Sequence, residues 1–227
     1  MPMIRSEREA SVAPPDALLL VSPSCPHCAA VLEGLAALVK EGVVGRLQVV
    51  NVAVHPEEAS SRGARSVPWF GIGAFVFDGA MTTADLRRWA QRAGDGNGMG
   101  AYFLEMLRSG RRRHVEAVIR ADSRHSLALA DLLRDPEASM AVRLGIGAVL
   151  EALQGSAGAR PMVAELGALT RGRDVRLRAD ACHYLSLIGT PETIPFLEAC
   201  RADEDAEVRE IAAESLQEIA TRAQPGS

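Results

Sequence analysis

Val21-Ser22-Pro23-Ser24-Cys25-Pro26-His27-Cys28 is the stretch that decides the fold of the first half of the chain. It completes a continuous apolar run over residues 17–21, which is the pattern of a strand buried on both faces of a sheet. From Pro26 onward, apolar residues recur at helical spacing and stop near Gly42. The pattern predicts a strand and then a helix that has Cys25 at its N-terminus and Cys28 in its first turn.

The segments after this helix predict the remainder of a small α/β domain. Residues 47–52 are rich in β-branched side chains, and residues 55–58 have the proline and acidic residues of a first helical turn. Strand, helix and strand in this order predict a parallel crossover. Two short apolar runs, 69–72 and 75–77, predict an antiparallel hairpin, and residues 83–93 predict a closing helix.

Composition and glycine content divide the chain of 227 residues into two domains. Residues 1–14 show neither helical nor strand periodicity, and we expect a flexible arm there. The first domain spans residues 15–94. The glycine-rich residues 95–100 predict a linker, residues 101–222 predict a helical domain, and residues 223–227 are left as a tail.

An internal repeat is the strongest feature of the second half. Leu177-Arg178 and the apolar residues after it recur as Val208-Arg209, 31 residues later, and a fainter copy begins at Val142-Arg143, 35 residues earlier. Acidic residues stand in the turns before these three helices, where they cap helices and favour the helix dipole. They are Asp135, Asp174, Asp203, Glu204 and Asp205. This period, with two helices per unit, predicts an α-solenoid.

Each half of the chain resembles a known protein family. Cys25-Pro26-His27-Cys28 between a buried strand and a helix, with Val67-Pro68 40 residues beyond Cys28, resembles the active site of the thioredoxin-fold redox proteins. Residues 67–82 are similar to the glutaredoxin-like branch, including the N-terminal domain of the flavoprotein subunit of alkyl hydroperoxide reductase. The second half resembles HEAT repeats, and together the two resemblances cover roughly residues 16–222.

The resemblance implies a fold class, which is a thioredoxin-like α/β domain with a mixed central sheet flanked by helices, followed by an all-α HEAT-like solenoid. The match departs from ordinary thioredoxins beneath the active site. Leu19 stands where these proteins usually bury a carboxylate, and an apolar residue near Val49 replaces the usual lysine. We therefore expect no buried proton acceptor there.

The candidate catalytic residues are Cys25 and Cys28. A helix N-terminus favours a thiolate and can lower a cysteine pKa from about 8.5 to roughly 3.5–7.5, which makes Cys25 the candidate nucleophile. Cys28 would be the resolving thiol. Pro26 and His27 would tune the pKa of Cys25, and the same Pro-His pair occurs in the strongly oxidising periplasmic disulfide-forming enzymes, so we expect a potential above that of thioredoxin.

The resemblance also implies a substrate-binding segment at Val67, Pro68 and Trp69, with Pro68 in the cis form. Each residue has a plainer alternative. Pro68 could be a trans turn proline, and Trp69 at the start of a central strand is more often a core residue than a partner contact.

The remaining polar residues have structural interpretations that outweigh functional ones. Cys25 and Cys28 could form half of a zinc site, but Cys182 and Cys200 lie 18 residues apart without a Cys-x-x-Cys of their own, so we expect no metal. Cys182 and Cys200 themselves are interpreted as core residues. The remaining candidates are interpreted as solvated surface residues or as residues that pack between helices. These are Arg108, Arg111, Arg112, Arg113, His114, His125 and His183.

Composition excludes several functions. The net charge is −4 and Lys40 is the sole lysine, so the basic residues do not indicate nucleic-acid binding. No apolar run is long enough for a signal peptide or a membrane span, and we expect a cytoplasmic protein without membrane contact. Sparse cysteines with one Cys-x-x-Cys indicate redox chemistry, which needs no cofactor.

The sequence therefore favours a thiol–disulfide oxidoreductase whose HEAT domain recruits a protein substrate, served by an electron donor or acceptor that the sequence does not identify. One alternative is a HEAT-repeat interaction protein whose binding is switched by the redox state of the first domain. Another, suggested by residues 80–82, is a component of a peroxidase system that passes electrons to a peroxiredoxin-like partner.

Overall fold

A computed structural model describes residues 13–94 and 98–223 of the chain. It divides the protein into two compact units, residues 1–99 and residues 100–227. Most of the predicted N-terminal arm, the first half of the predicted linker and nearly all of the predicted tail lie outside the described residues.

The first unit contains a four-stranded mixed sheet with helices, an arrangement compatible with a thioredoxin-like fold. The strand order is β2-β1-β3-β4; β1 pairs parallel with β2 and antiparallel with β3, and β3 pairs antiparallel with β4. The predicted parallel crossover and the predicted hairpin are confirmed. The elements are β1 (Ala17–Val21), α1 (Cys28–Lys40), β2 (Leu47–Asn51), α2 (Pro56–Ser61), β3 (Trp69–Ile72), β4 (Phe75–Asp78) and α3 (Thr83–Gly94).

The strand β1 is the centre of this unit. Leu19 and Leu20, on opposite faces of the strand, are both fully buried. Leu20 packs in a cluster with Val50 and Trp69, to which Ala59 of α2 also belongs. Burial of both faces explains why the strand has a continuous apolar sequence rather than an alternating one.

The predicted start of α1 is wrong by two residues. The helix begins at Cys28, with His27 as its N-cap residue, so Cys25 lies in the turn before the helix. The backbone N–H of Cys25 donates to the carbonyl of Ser22 across 3.1 Å, and this turn delays the start of regular helical hydrogen bonding. The predicted end is confirmed, because Gly42 follows the helix with a φ of 74°.

The second unit is entirely helical among its described residues. The helices α5, α7, α9 and α11 contact one another in succession and form one layer, while α6 contacts α8 behind them. The α-helices are α4 (Met99–Arg108), α5 (Arg112–Ala121), α6 (Leu127–Arg134), α7 (Met140–Ala152), α8 (Arg160–Leu169), α9 (Val175–Ile188), α10 (Ile194–Cys200) and α11 (Ala206–Ala223).

Helix α4 begins at Met99, inside the stretch predicted to be a linker. Tyr102, Phe103 and Met106 are fully buried on one face of this helix. Burial of that face stabilises the helix, whereas the glycine at position 100 destabilises the helix by only about 1 kcal/mol relative to alanine.

The arginine that marks each repeat has a structural explanation. Arg143, Arg178 and Arg209 each donate hydrogen bonds to backbone carbonyls in the turn that precedes their own helix. Arg178 also makes two 2.9 Å hydrogen bonds to the carboxylate of Asp203, and this contact lowers the pKa of Asp203. The repeated arginine therefore joins each helix pair to its connecting turn.

Capping residues follow the prediction in part. The carboxylate of Asp174 accepts hydrogen bonds from the N–H groups of Arg176 and Leu177 at the start of α9. For α7 the predicted cap at Asp135 is wrong, because Ser139 accepts from the N–H of Val142 at 3.4 Å. Asp135 lies four residues farther from the helix and accepts instead from the N–H of Glu137.

Tyr184 supplies a test of the packing between α7 and α9. Its hydroxyl donates to the carbonyl of Arg143 across 3.1 Å, and burial raises the pKa of Tyr184 to about 12. Tyr184→Phe should lower the free energy of unfolding in urea at pH 8 by about 1 kcal/mol.

The same pKa sets the pH dependence. The unfolded phenol ionises near pH 10, and the folded phenol does so only near 12, so the wild type loses stability as the pH rises through this range. The difference between wild type and Tyr184→Phe should therefore shrink from pH 8 to pH 11. If the free energies of unfolding of wild type and Tyr184→Phe instead changed in parallel from pH 8 to pH 11, the buried hydroxyl would not be the source of this pH dependence.

Candidate redox site

The two cysteines of the Cys-x-x-Cys lie between the end of β1 and the start of α1. They form a disulfide, with their Cα atoms 5.6 Å apart. Cys28 is the first residue of α1 and is only 5% exposed, whereas Cys25 is half-buried in the preceding turn. The two sulfurs therefore differ in their access to solvent.

The surroundings of Cys25 on the turn side are small and polar. The hydroxyls of Ser22 and Ser24 lie 3.1 Å apart, and Pro26 and His27 are exposed. The imidazole of His27 makes no capping hydrogen bond to α1. Free N–H groups in the first turn of a helix favour a negative charge nearby, and Cys25 stands three residues before that turn.

The structure brings the segment around Pro68 to the same place. The Sγ of Cys25 lies 3.5 Å from the carbonyl oxygen of Val67, and the Val67–Pro68 peptide bond is cis. A disulfide sulfur has no proton to donate, but the thiol of reduced Cys25 can donate a hydrogen bond to this carbonyl. Pro68 is buried and Val67 is half-buried.

Trp69 is packed into the core of the sheet. It is only 8% exposed and packs with Leu20 and Val50 on one face of the sheet. Its ring therefore presents little surface to a partner, as the core alternative requires.

The position beneath the site is apolar. Leu19 of β1 is fully buried and is the register partner of Val49 on β2, which is 43% exposed. No charged pair occupies these two positions.

Cys182 and Cys200 form a second sulfur pair that the sequence did not reveal. Both are buried free thiols, on α9 and α10, and they share a hydrogen bond. The hydrogen bond from Cys182 lowers the pKa of Cys200, and the pKa of Cys182 is raised by the same bond and by burial. The assignment as core residues explains their burial but not their contact.

The described residues contain no group of three or more His, Cys, Asp or Glu side chains arranged to hold a metal ion. In the same part of the chain, no helix is both long and apolar enough to cross a membrane.

The fold and site define a chain in which a small α/β unit with a disulfide-bonded Cys-x-x-Cys precedes a unit of helical repeats. The family model of HEAT repeats matches residues 126–217, which extend from the turn before α6 into α11. HEAT repeats generally mediate interactions between proteins. No curated protein matches the chain.

Differences in burial predict the order in which the reduced cysteines react. Cys25 should react first with iodoacetamide near pH 6, because the other three sulfurs are at most 5% exposed. Peptide mapping by mass spectrometry measures the four rates, and labelling in urea is the control in which these rates converge.

Cys200 makes this test stringent, because the hydrogen bond from Cys182 lowers its pKa although its sulfur is buried. If Cys200 or Cys28 reacted as fast as Cys25 in the folded protein, access would not determine reactivity, and Cys25 would lose its assignment as the nucleophile.

Proposed function

We propose that the protein is a thiol–disulfide oxidoreductase that acts through Cys25 and Cys28, and that its HEAT-repeat unit recruits a protein substrate. The observation that carries the proposal is the unequal exposure of two bonded sulfurs. Half-buried Cys25 can meet an external disulfide, while Cys28, at 5% exposure, can reach little except Cys25. A nucleophile and a resolving thiol require this asymmetry.

The proposed exchange has two steps. In the reduced protein, the Cys25 thiolate attacks one sulfur of a substrate disulfide, forms a mixed disulfide and releases the other substrate sulfur as a thiolate. Cys28, as its thiolate, then attacks the Cys25 sulfur and releases the second substrate thiolate. Once the released thiolates are protonated, the substrate has gained two electrons and two protons, and Cys25 and Cys28 end as a disulfide.

The same steps run in the opposite direction when the oxidised pair meets a substrate dithiol. A second dithiol or disulfide must then restore the pair, and it is the electron donor or acceptor of the cycle. The carbonyl of Val67, 3.5 Å from the Cys25 sulfur, marks where substrate backbone would approach the site.

A second candidate function is supported by the HEAT match at residues 126–217. In this alternative the helical repeats are the working part, and the redox state of Cys25 and Cys28 switches the binding of a partner. The two functions differ in whether the partner becomes covalently attached to Cys25.

A trapping experiment separates them. Cys28→Ser removes the resolving thiol, so reduced Cys28→Ser protein should accumulate mixed disulfides between Cys25 and its substrates in a cell lysate. Nonreducing gels should show these complexes, dithiothreitol should release them, and Cys25→Ser/Cys28→Ser should form none.

The double variant is also the matched control for non-covalent binding. Partners retained equally by Cys28→Ser and Cys25→Ser/Cys28→Ser, and not released by dithiothreitol, would support the interaction protein. Absence of any Cys25-linked species would contradict the oxidoreductase.

A further inference from the structure

The helices α5, α7, α9 and α11 form one layer of the second unit, and we call the outer side of this layer the α5–α11 face. Its basic end is α5, where Arg112, Arg113 and Arg120 are exposed. Glu116 is the acidic residue of this helix and lies 3.8 Å from Arg112 and 3.5 Å from Arg120, with a side chain only 12% exposed. The end formed by α5 therefore keeps a net positive charge, to which Arg113 contributes without an ion-pair partner among the described residues.

The centre of the face is a groove between α7 and α9, with a volume of about 470 Å³. Its lining combines apolar side chains with charged and polar ones, which include Glu151, Arg176, Asp180 and His183. Met140 and Leu144 line it from α7 and are 70% and 67% exposed, and Leu187 lines it from α9. Met140 and Leu144 are the most exposed large apolar side chains of the described residues. Exposed apolar residues within a polar rim typically mark a site for a partner.

The acidic end of the face is α11. Glu207, Glu210 and Glu214 are exposed there and have no ion-pair partner within the described part of the chain. Glu218 is different, since it bonds to Arg222 and Ser186. Arg209 is engaged with backbone carbonyls, so three free carboxylates dominate the charge at this end.

We propose that the α5–α11 face binds an extended segment of the protein substrate that is acidic at one end, apolar in the middle and basic at the other. The acidic end would lie over α5, the apolar middle in the groove, and the basic end over α11. This inference rests on the proposed function and specifies the class of substrate that the HEAT-repeat unit recruits.

The size of the face sets the length of the segment. Packed helices lie about 8–10 Å apart, so the distance from α5 to α11 is roughly 30 Å. An extended chain rises about 3.3 Å per residue, and about ten residues span the face. Opposite charges at the two ends orient the segment and reject chains of uniform charge.

The test uses the full-length oxidised protein and a fluorescein-labelled peptide with three glutamates, a middle of alternating leucine and alanine, and three lysines. Fluorescence anisotropy should show binding to the wild type. Peptides with serine in the middle, with two acidic ends or with two basic ends should each bind at least several-fold more weakly.

A substitution in the groove tests the site. Leu144→Glu should weaken binding of the labelled peptide at least about tenfold, because burial of a leucine side chain is lost. Leu127→Glu is the matched control, since Leu127 is 40% exposed but belongs to α6, outside the face. Equal weakening by both variants would show that the peptide does not occupy the groove.

A charge exchange guards against variants that fail to fold. Glu210→Arg/Glu214→Arg should weaken binding of the original peptide and strengthen binding of the peptide with two acidic ends, each several-fold. Misfolding cannot produce a gain of binding. The proposal would be overturned if the peptide bound no better than its serine variant. It would also be overturned if a single-stranded oligonucleotide displaced the labelled peptide as well as the unlabelled peptide does.

Reduction of a small aromatic disulfide, measured on the same variants, separates this inference from the proposed function. If the wild type fails to bind the peptide but still reduces the disulfide, the proposed face is removed and the redox activity remains. Peptide binding without disulfide reduction by the wild type removes the oxidoreductase and leaves the face.

Discussion

The burial of β1 is the constraint on which the redox site depends. Both faces of this strand are covered, and its backbone pairs with β2 on one side and β3 on the other, so the chain must leave the sheet at one defined place. The register pairs Leu20 with Trp69, and Val67 stands two residues before Trp69. Cys25, just beyond the strand, therefore meets Val67 although 42 residues separate them in the sequence. The position of the candidate site thus follows from the pairing of the sheet rather than from contacts between the candidate site residues themselves.

The start of α1 produces the difference between the two sulfurs. Cys28 is held in the first turn of a helix whose inner face, with Val31 and Leu35, is fully buried in the core, and so its sulfur is covered. Cys25 remains outside the helix in a turn lined by serines and is half-buried. The second sulfur pair, Cys182 and Cys200, has the opposite character because both thiols are enclosed between helices. In the proposed mechanism, access to solvent rather than acidity distinguishes Cys25 from the other three cysteines.

Periodicity predicted most of the fold, because buried faces dictate where apolar residues recur. The strands, the hairpin, the end of α1 and the arginine-marked helices are all local patterns of this kind. The start of α1 was missed because a turn closed by Ser22 and Cys25 resembles a first helical turn in sequence. The contact between Cys182 and Cys200 and the order of charged helices in the proposed α5–α11 face depend on which helices become neighbours. Spacing along the chain does not contain that information, since α5 and α11 are far apart in sequence and share a surface only through the packing of α7 and α9 between them.

The equilibrium of the intact protein with glutathione tests the central claim most directly. The protein is incubated at a series of ratios of reduced to oxidised glutathione, the thiols are blocked, and each cysteine is scored by mass spectrometry. If Cys25 and Cys28 are a redox-active pair, they convert together between dithiol and disulfide in one reversible two-electron transition, while Cys182 and Cys200 remain thiols. A Cys25–Cys28 pair that stays in one state at every ratio, or a transition confined to Cys182 and Cys200, would contradict the assignment.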